Sequence, residues 1–195
     1  MVIYLDTETS GYYPGEICQL SYVMQDRTGA TAKNYFFSVK KVDYGAYLVH
    51  GFSKEILYEL SDGKKFSDMA EEIAADLFSA DLVVSHNVAF DFMFLRREFE
   101  RAGIDFAVKD SFCTMKSTVG LCKLARTGGG YKYPKLSELC DKLGIGENVI
   151  AGATEKFFGE ELKYHDARFD TAAVYLIANA GRENYPAFSK IENCL

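Results

Sequence analysis

VIYLDTETSG, residues 2–11, is the stretch that decides the fold. Residues 2–8 read as a buried strand, β-branched and apolar, yet acids stand at positions 6 and 8. Side chains alternate across a strand, so Asp6 and Glu8 share one face while Ile3, Leu5 and Thr7 share the other. Two neighbouring carboxylates repel and are costly to desolvate. The pair therefore either sits at a wet strand tip beside the turn former Gly11 or is neutralised by a cation. Because a D-x-E triplet is common by chance, this stretch alone leaves both readings open.

Outward from it, residues 16–25 (EICQLSYVMQ) and 31–40 (TAKNYFFSVK) read as two more strands, joined by a turn at Arg27, Thr28 and Gly29. With the first they form an antiparallel meander. Residues 53–60 and 67–79 read as helices, each introduced by a serine that caps free backbone N–H groups, and 81–85 (DLVVS) as a short buried strand. A helix over 88–102 carries Val88, Phe92, Leu95 and Phe99 at helical spacing and stops at Gly103. Three further helices are expected over 111–125, 135–143 and 166–180, the last two ending before Gly144 and Gly181. The class is α/β. A short glycine-rich piece, RTGGGYKYP at 126–134, is the one flexible-looking segment and is too short to separate domains, so a single domain over 1–195 is expected.

Composition narrows the function. The chain has 195 residues, 48% of them apolar, enough to bury a sizeable core. Its five cysteines, Cys18, Cys113, Cys122, Cys140 and Cys194, are odd in number and scattered, with no C-x-x-C pair for zinc or redox work. A cytoplasmic home is expected. No stretch reaches the length of a membrane span, so no membrane partner is expected. A formal charge of −6 argues against a generic basic coat for nucleic acid but says little about a local site.

Other acids lie in suggestive places. SHNVAFDFMFL, residues 85–95, puts Asp91 on the first turn of an otherwise apolar helix, where the helix dipole alone could account for a negative charge. YHDARFDTAAVYLI, residues 164–177, puts His165 five positions before Asp170, whose neighbours Phe169, Ala172, Ala173 and Leu176 are apolar. An acid in such company needs a partner. Taken singly, His165 reads as well as a locally bonded helix-start residue.

The order D-x-E, H-N-x-A-F-D, H-x-x-x-x-D resembles that of the DEDDh family of 3′→5′ exonucleases, which includes polymerase proofreading subunits and free-standing ribonucleases. VHGFS at 49–53 and YPKLSELCDKLGI at 133–145 resemble the stretches between those motifs, so the likeness covers nearly the whole chain. The related branch with tyrosine in its last motif is disfavoured, since Asp166 stands where its tyrosine belongs. The resemblance implies a ribonuclease H-like fold, a mixed five-stranded sheet of antiparallel meander plus parallel strands, flanked by helices. It also implies that Asp6, Glu8, Asp91 and Asp170 hold two Mg²⁺ or Mn²⁺ ions, the hard cations that suit oxygen ligands. His165 is then the general base, a task for which an imidazole is suited. The segment 159–166 is expected to move and close His165 over the scissile phosphate. Backbone at Thr7 and Thr9 is implied to meet the terminal nucleotide.

Between 109 and 135 stand six basic residues and one acid, Asp110, in an otherwise acidic protein. Arg126, Tyr131 and Lys132 beside three glycines suit a single strand of DNA or RNA, which offers phosphates to charge and bases to aromatic faces. A solvated helix surface with a loose loop fits almost as well. His86 and Asn87 read as hydrogen-bonding residues that shape the loop before Asp91, and His50 as structural. Thr171 departs from the alanine common after the last acid of the family. With about fifteen residues after the last expected helix, a free-standing enzyme is expected rather than a polymerase subunit. A polymerase or homodimer partner docking on a folded surface stays open. The activity read from this set is removal of nucleoside monophosphates from the 3′ ends of single strands, DNA before RNA. The alternative is a silent nucleic-acid-binding module of the same fold.

Overall fold

In the computed structural model, residues 1–12, 15–160 and 162–195 are described. The first strand, β1 (Val2–Thr9), lies at the centre of a five-stranded sheet with order β3-β2-β1-β4-β5. β2 (Ile17–Gln25) pairs antiparallel with β1, and β3 (Ala30–Phe36) antiparallel with β2. Their hairpin turns where expected. The Asp26 carboxylate accepts hydrogen bonds from the Thr28 N–H (2.7 Å) and hydroxyl (2.6 Å), a local cap that sets the turn. β4 (Leu82–Ser85) pairs parallel with β1, and β5 (Ser111–Cys113) parallel with β4.

Alternation along β1 builds two cores. Val2 and Tyr4 face α7 (Leu136–Leu143), α8 (Glu147–Phe158) and α9 (Ala167–Asn184). Ile3 and Leu5 face α3 (Phe66–Ser79) and α4 (Val88–Arg101). A third, smaller cluster of Cys18, Val39 and Leu57 lies beneath α1 (Tyr44–His50) and α2 (Lys54–Leu60). Asp6 and Glu8 thus continue the α9 side of the strand as its apolar residues run out.

Several expectations change. Residues 111–125 are not one helix: Ser111–Cys113 is the fifth strand, followed by the single turns α5 (Thr114–Ser117) and α6 (Val119–Cys122). Three residues beside a parallel neighbour carry no periodicity of their own. The third strand stops at Phe36 rather than residue 40. Ser53 does cap α2, accepting from the Ile56 N–H, but α3 begins at Phe66 and its start is tied by Asp68, which accepts from the Lys65 N–H (2.8 Å). The last long helix runs through Gly181. That glycine leaves room for the Phe188 ring, whose atoms would lie 2.7 Å from a Cβ placed there. Gly11 likewise serves close approach more than turning, since a Cβ would meet the Asp43 carboxylate at 2.2 Å. Helices unforeseen from sequence, α1, α8 and the final short α10 (Ser189–Glu192), complete the packing. Among the described residues no helix is long and apolar enough to cross a membrane.

Candidate active site

The carboxyl ends of the parallel strands β1 and β4 meet the first turns of α4 and α9, the edge of an α/β sheet where functional groups collect. β1 turns Asp6 and Glu8 toward α9. Across the ladder on β2, Ser21 stands opposite Asp6 and Gln19 opposite Glu8, both fully buried. A register shift between Glu8 and Thr9 marks a bulge. There the Thr9 carbonyl accepts a hydrogen bond from His50 Nε2 (3.2 Å). The Phe52 N–H donates to His50 Nδ1 (3.0 Å), which places the ring proton on Nε2. Burial holds the His50 pKa below its ordinary value and so keeps the ring neutral.

Asp91, on the first turn of α4, is buried with its two oxygens claimed separately. Thr7 donates its hydroxyl to Oδ1 (2.8 Å) and Ser85 donates its own to Oδ2. Strand β1 and strand β4 therefore each supply one hydroxyl that orients the acid. Asp170, on the first turn of α9, accepts from the His165 N–H through Oδ2 (3.2 Å), while its buried Oδ1 has no hydrogen-bond partner among the described residues. The buried Ser21 hydroxyl is unpartnered in the same way. One ligand atom each from Glu8, His165 and Asp170 lies within 4.8 Å of the others.

His165 projects from a turn with φ of 69°, a left-handed conformation that costs a non-glycine residue energy and persists only when its surroundings impose it. Those surroundings are visible. Asp166 caps α9, accepting from the Arg168 N–H (3.0 Å), and is bridged to the Arg168 guanidinium (2.9 Å). Gln19 donates to Asp166 (2.9 Å) and accepts from the Ala167 N–H (3.1 Å). The segment expected to move is thus held at Asp166, and Arg168 also reaches Glu160 (3.2 Å). Glu161, within that segment, lies outside the described residues.

The electrostatics follow from crowding. Burial drives the Asp6 carboxyl well above its ordinary value, and Asp170, Asp91, Glu8 and Asp166 push it further. Glu8 is pushed up to about 8 by burial and then by Asp170, Asp166 and Asp91. Burial raises Asp170 to about 7 against the stabilising His165 N–H, and Asp91 to about 6 against the Ser85 and Thr7 hydroxyls. Such a group keeps protons at neutral pH unless cations take their place. An orphaned carboxylate oxygen within a set of buried acids fits a hard divalent cation.

The expected substrate residues are less closely gathered. Thr7 spends its hydroxyl on Asp91, and Thr9 presents a buried, anchored carbonyl. Lys132 is paired with Glu138 (2.5 Å). Arg126 and Tyr131 belong to a hairpin closed by the Arg126 N–H donating to Gly130 O (3.1 Å), not to the loose loop expected. His86 anchors that hairpin's base: its Nε2–H donates to Pro134 O (3.0 Å) while Nδ1 meets the Thr114 hydroxyl (2.9 Å). None of Arg126, Tyr131 or Lys132 lines the cavity of about 420 Å³ that opens beside Glu8. Its walls include Thr9, Tyr12, Asp43, Val49, His50 and Phe90. Sequence reading missed Gln19 and Ser21, although two polar residues at period two in ICQLSYVMQ were the available signal.

A meander followed by parallel strands in this order, with helices on both faces, is a ribonuclease H-like fold. Comparison with known proteins agrees. No family model matches. DNA polymerase III subunit epsilon of Escherichia coli K12 is 31% identical over 153 residues, 73% of this chain and 60% of that protein. The chain thus spans about 60% of the length of that curated relative. E. coli Exonuclease I, solved in complex with a 5cy-dT13 oligonucleotide, has a TM-score of 0.74 at 16% identity, covering 98% of this chain and 43% of that one. Pop2p of S. pombe, in its Mg²⁺- and Mn²⁺-bound form, has a TM-score of 0.66 at 13% identity, covering 99% and 87%. These likenesses support the resemblance of the chain to the DEDDh exonucleases.

Proposed function

We propose that residues 1–195 act as one exonuclease domain that removes nucleoside 5′-monophosphates from the 3′ ends of single-stranded nucleic acid, DNA before RNA. The observation that carries this reading is the convergence of Glu8, His165 and Asp170 beside the half-buried Asp6 and the buried Asp91. The oligonucleotide named with Exonuclease I and the ions named with Pop2p support a single-stranded substrate and divalent metal. A cytoplasmic site of action is in keeping with five free cysteines.

Asp6, Glu8, Asp91 and Asp170 would hold two Mg²⁺ or Mn²⁺ ions. When bound, two such ions would supply positive charge to stabilise the attacking and leaving oxygens of an in-line displacement. The protein's own share is positional. Thr7 and Ser85 fix Asp91, and the His165 N–H fixes one oxygen of Asp170. The exposed His165 ring takes the proton from the attacking water, whose oxygen bonds to phosphorus as the bond from phosphorus to the preceding 3′ oxygen breaks. The terminal sugar and base fit the cavity beside Glu8, against the Thr9 backbone that His50 holds in place. Arg126, Tyr131 and Lys132 would contribute at a distance from the bond that breaks.

The test is digestion of 5′-labelled DNA and RNA strands of matched sequence with Mg²⁺, Mn²⁺ or chelator, using the parent, Asp6→Ala and His165→Ala proteins. A ladder that shortens from the 3′ end only with metal, and is lost in both variants, supports the assignment. Binding without cleavage under every metal condition overturns it and leaves a nucleic-acid-binding module.

A further inference from the structure

Exposed apolar side chains are normally scattered. Here Tyr44, Tyr47, Leu48, Val49, Ile56, Tyr58 and Leu60, all well exposed, crowd into the seventeen residues of α1, α2 and their link. A groove of about 480 Å³ runs between the two helices. Tyr44, 75% exposed, and Tyr47, 43% exposed, line it, and Lys40, Lys41 and Lys54 stand on its walls against one acid, Glu55. Lys41 is paired with Asp43 (2.9 Å), whereas Lys40 and Lys54 make no ion pair among the described residues. This positive, aromatic groove belongs to a chain of net charge −6.

Its position gives it meaning. The groove and the cavity beside Glu8 share α1 as their common wall. Asp43, Gly45, Ala46, Val49 and His50 face the cavity, while Val42, Tyr44 and Tyr47 face the groove. A chain with its 3′ end at the carboxylates has to leave that cavity over some edge, and the first turn of α1 is an edge with cations and ring faces on its far side.

Building on the exonuclease reading above, we propose that the groove between α1 and α2 carries the single strand 5′ of its last two nucleotides. Lys40 and Lys54 contact phosphates there, and Tyr44 and Tyr47 offer faces on which bases stack. Cations interleaved with exposed aromatics are the combination that binds a single strand without reading its sequence. A purely apolar protein partner would gain nothing from the lysines, whereas a polyanion needs them.

The experiment compares the parent protein with Lys40→Glu/Lys54→Glu and Tyr44→Ala/Tyr47→Ala double variants, all surface changes on the groove side and none lining the cavity beside Glu8. Binding of a fluorescent twenty-base DNA strand is followed by anisotropy in chelator across a salt series, and cleavage of that strand and of a dinucleotide is measured with Mg²⁺. The expected result is roughly tenfold weaker binding of the long strand in each variant. In the lysine variant the slope of log affinity against log salt falls by about 1.4, for two lost single-strand phosphate contacts. Dinucleotide cleavage stays unchanged. Parent-like binding of the long strand by both variants overturns the groove assignment while leaving the exonuclease reading intact. A parent that binds the long strand but cleaves neither substrate overturns the exonuclease reading instead. If only the tyrosine variant differs, and by losing self-association in sedimentation, the face is a contact between copies of the chain and the proposal falls.

Discussion

Replacing Asp170 with asparagine is expected to make the cation-free protein more stable at alkaline pH and to blunt its response to divalent metal. Asp170 is buried, and its carboxyl is pushed up to about 7 from an ordinary 3.8, first by burial and then by Asp166, with the His165 N–H opposing. That difference makes the ionised form on the order of 4 kcal/mol less favourable in the folded than in the unfolded chain. The proton on Asp170 therefore contributes stability in full below about pH 4, and this is lost as pH rises through about 7. Asparagine keeps the shape and an acceptor for the His165 N–H but carries no charge. Because Asp6 and Glu8 remain crowded, it recovers only part of the cost, ~1–3 kcal/mol, or roughly 2–10 °C in Tm for a chain of this length. Thermal melts followed by circular dichroism in chelator at about pH 8 and about pH 5, with and without Mg²⁺ or Mn²⁺, measure it. The variant is expected to melt above the parent at the higher pH, to lose that advantage at the lower, and to gain less from metal. A variant that melts below the parent at about pH 8 in chelator would refute the reasoning, because Asp170 would then be a stabilising group and not a frustrated one.

Gln19→Leu removes the side chain that donates to Asp166 and accepts from the Ala167 N–H. Turnover on single-stranded DNA is expected to fall roughly 10- to 100-fold with KM little changed, and an unchanged turnover would show that the turn bearing His165 holds itself. His86 is held neutral, its pKa lowered by burial to about 4. Its contribution is complete above about pH 6.5 and is lost as pH falls toward 4, on the order of 3 kcal/mol, so urea melts of a His86→Gln variant should be flatter than those of the parent over that window. Gly181→Ala places a methyl 2.7 Å from the Phe188 ring and is expected to cost ~1–3 kcal/mol, partly recovered by adding Phe188→Leu; an additive pair of losses would contradict this packing. Thr171→Ala removes a hydroxyl that donates to the Ser21 carbonyl (3.1 Å), and should lower stability by about 1 kcal/mol in chemical denaturation while sparing catalysis.

Local chemistry made much of this protein readable from its residues alone. Alternation put Asp6 and Glu8 on one face of a strand whose first four positions are apolar, and that arrangement needs no distant partner to be recognised. The 3.6-residue spacing of α4 and the left-handed glycine that ends α7 are local in the same way. The order of acids and histidine along the chain carried the family, and with it the expected five strands. Tertiary structure alone decided what depends on partners far along the chain. Ser111–Cys113 is a strand because β4 offers it a hydrogen-bonding edge, and α8 is a helix packed on α9 without a strong pattern of its own. Thr7 and Ser85 meet on Asp91 from 84 and 6 residues away, and Gln19 reaches Asp166 across 147. Which oxygen of Asp170 is satisfied, which lysines are already paired and which tyrosines face a groove are likewise set by folding. Such contacts form only when the sheet and its helices bring remote segments within hydrogen-bond reach, and spacing along the chain carries no record of them.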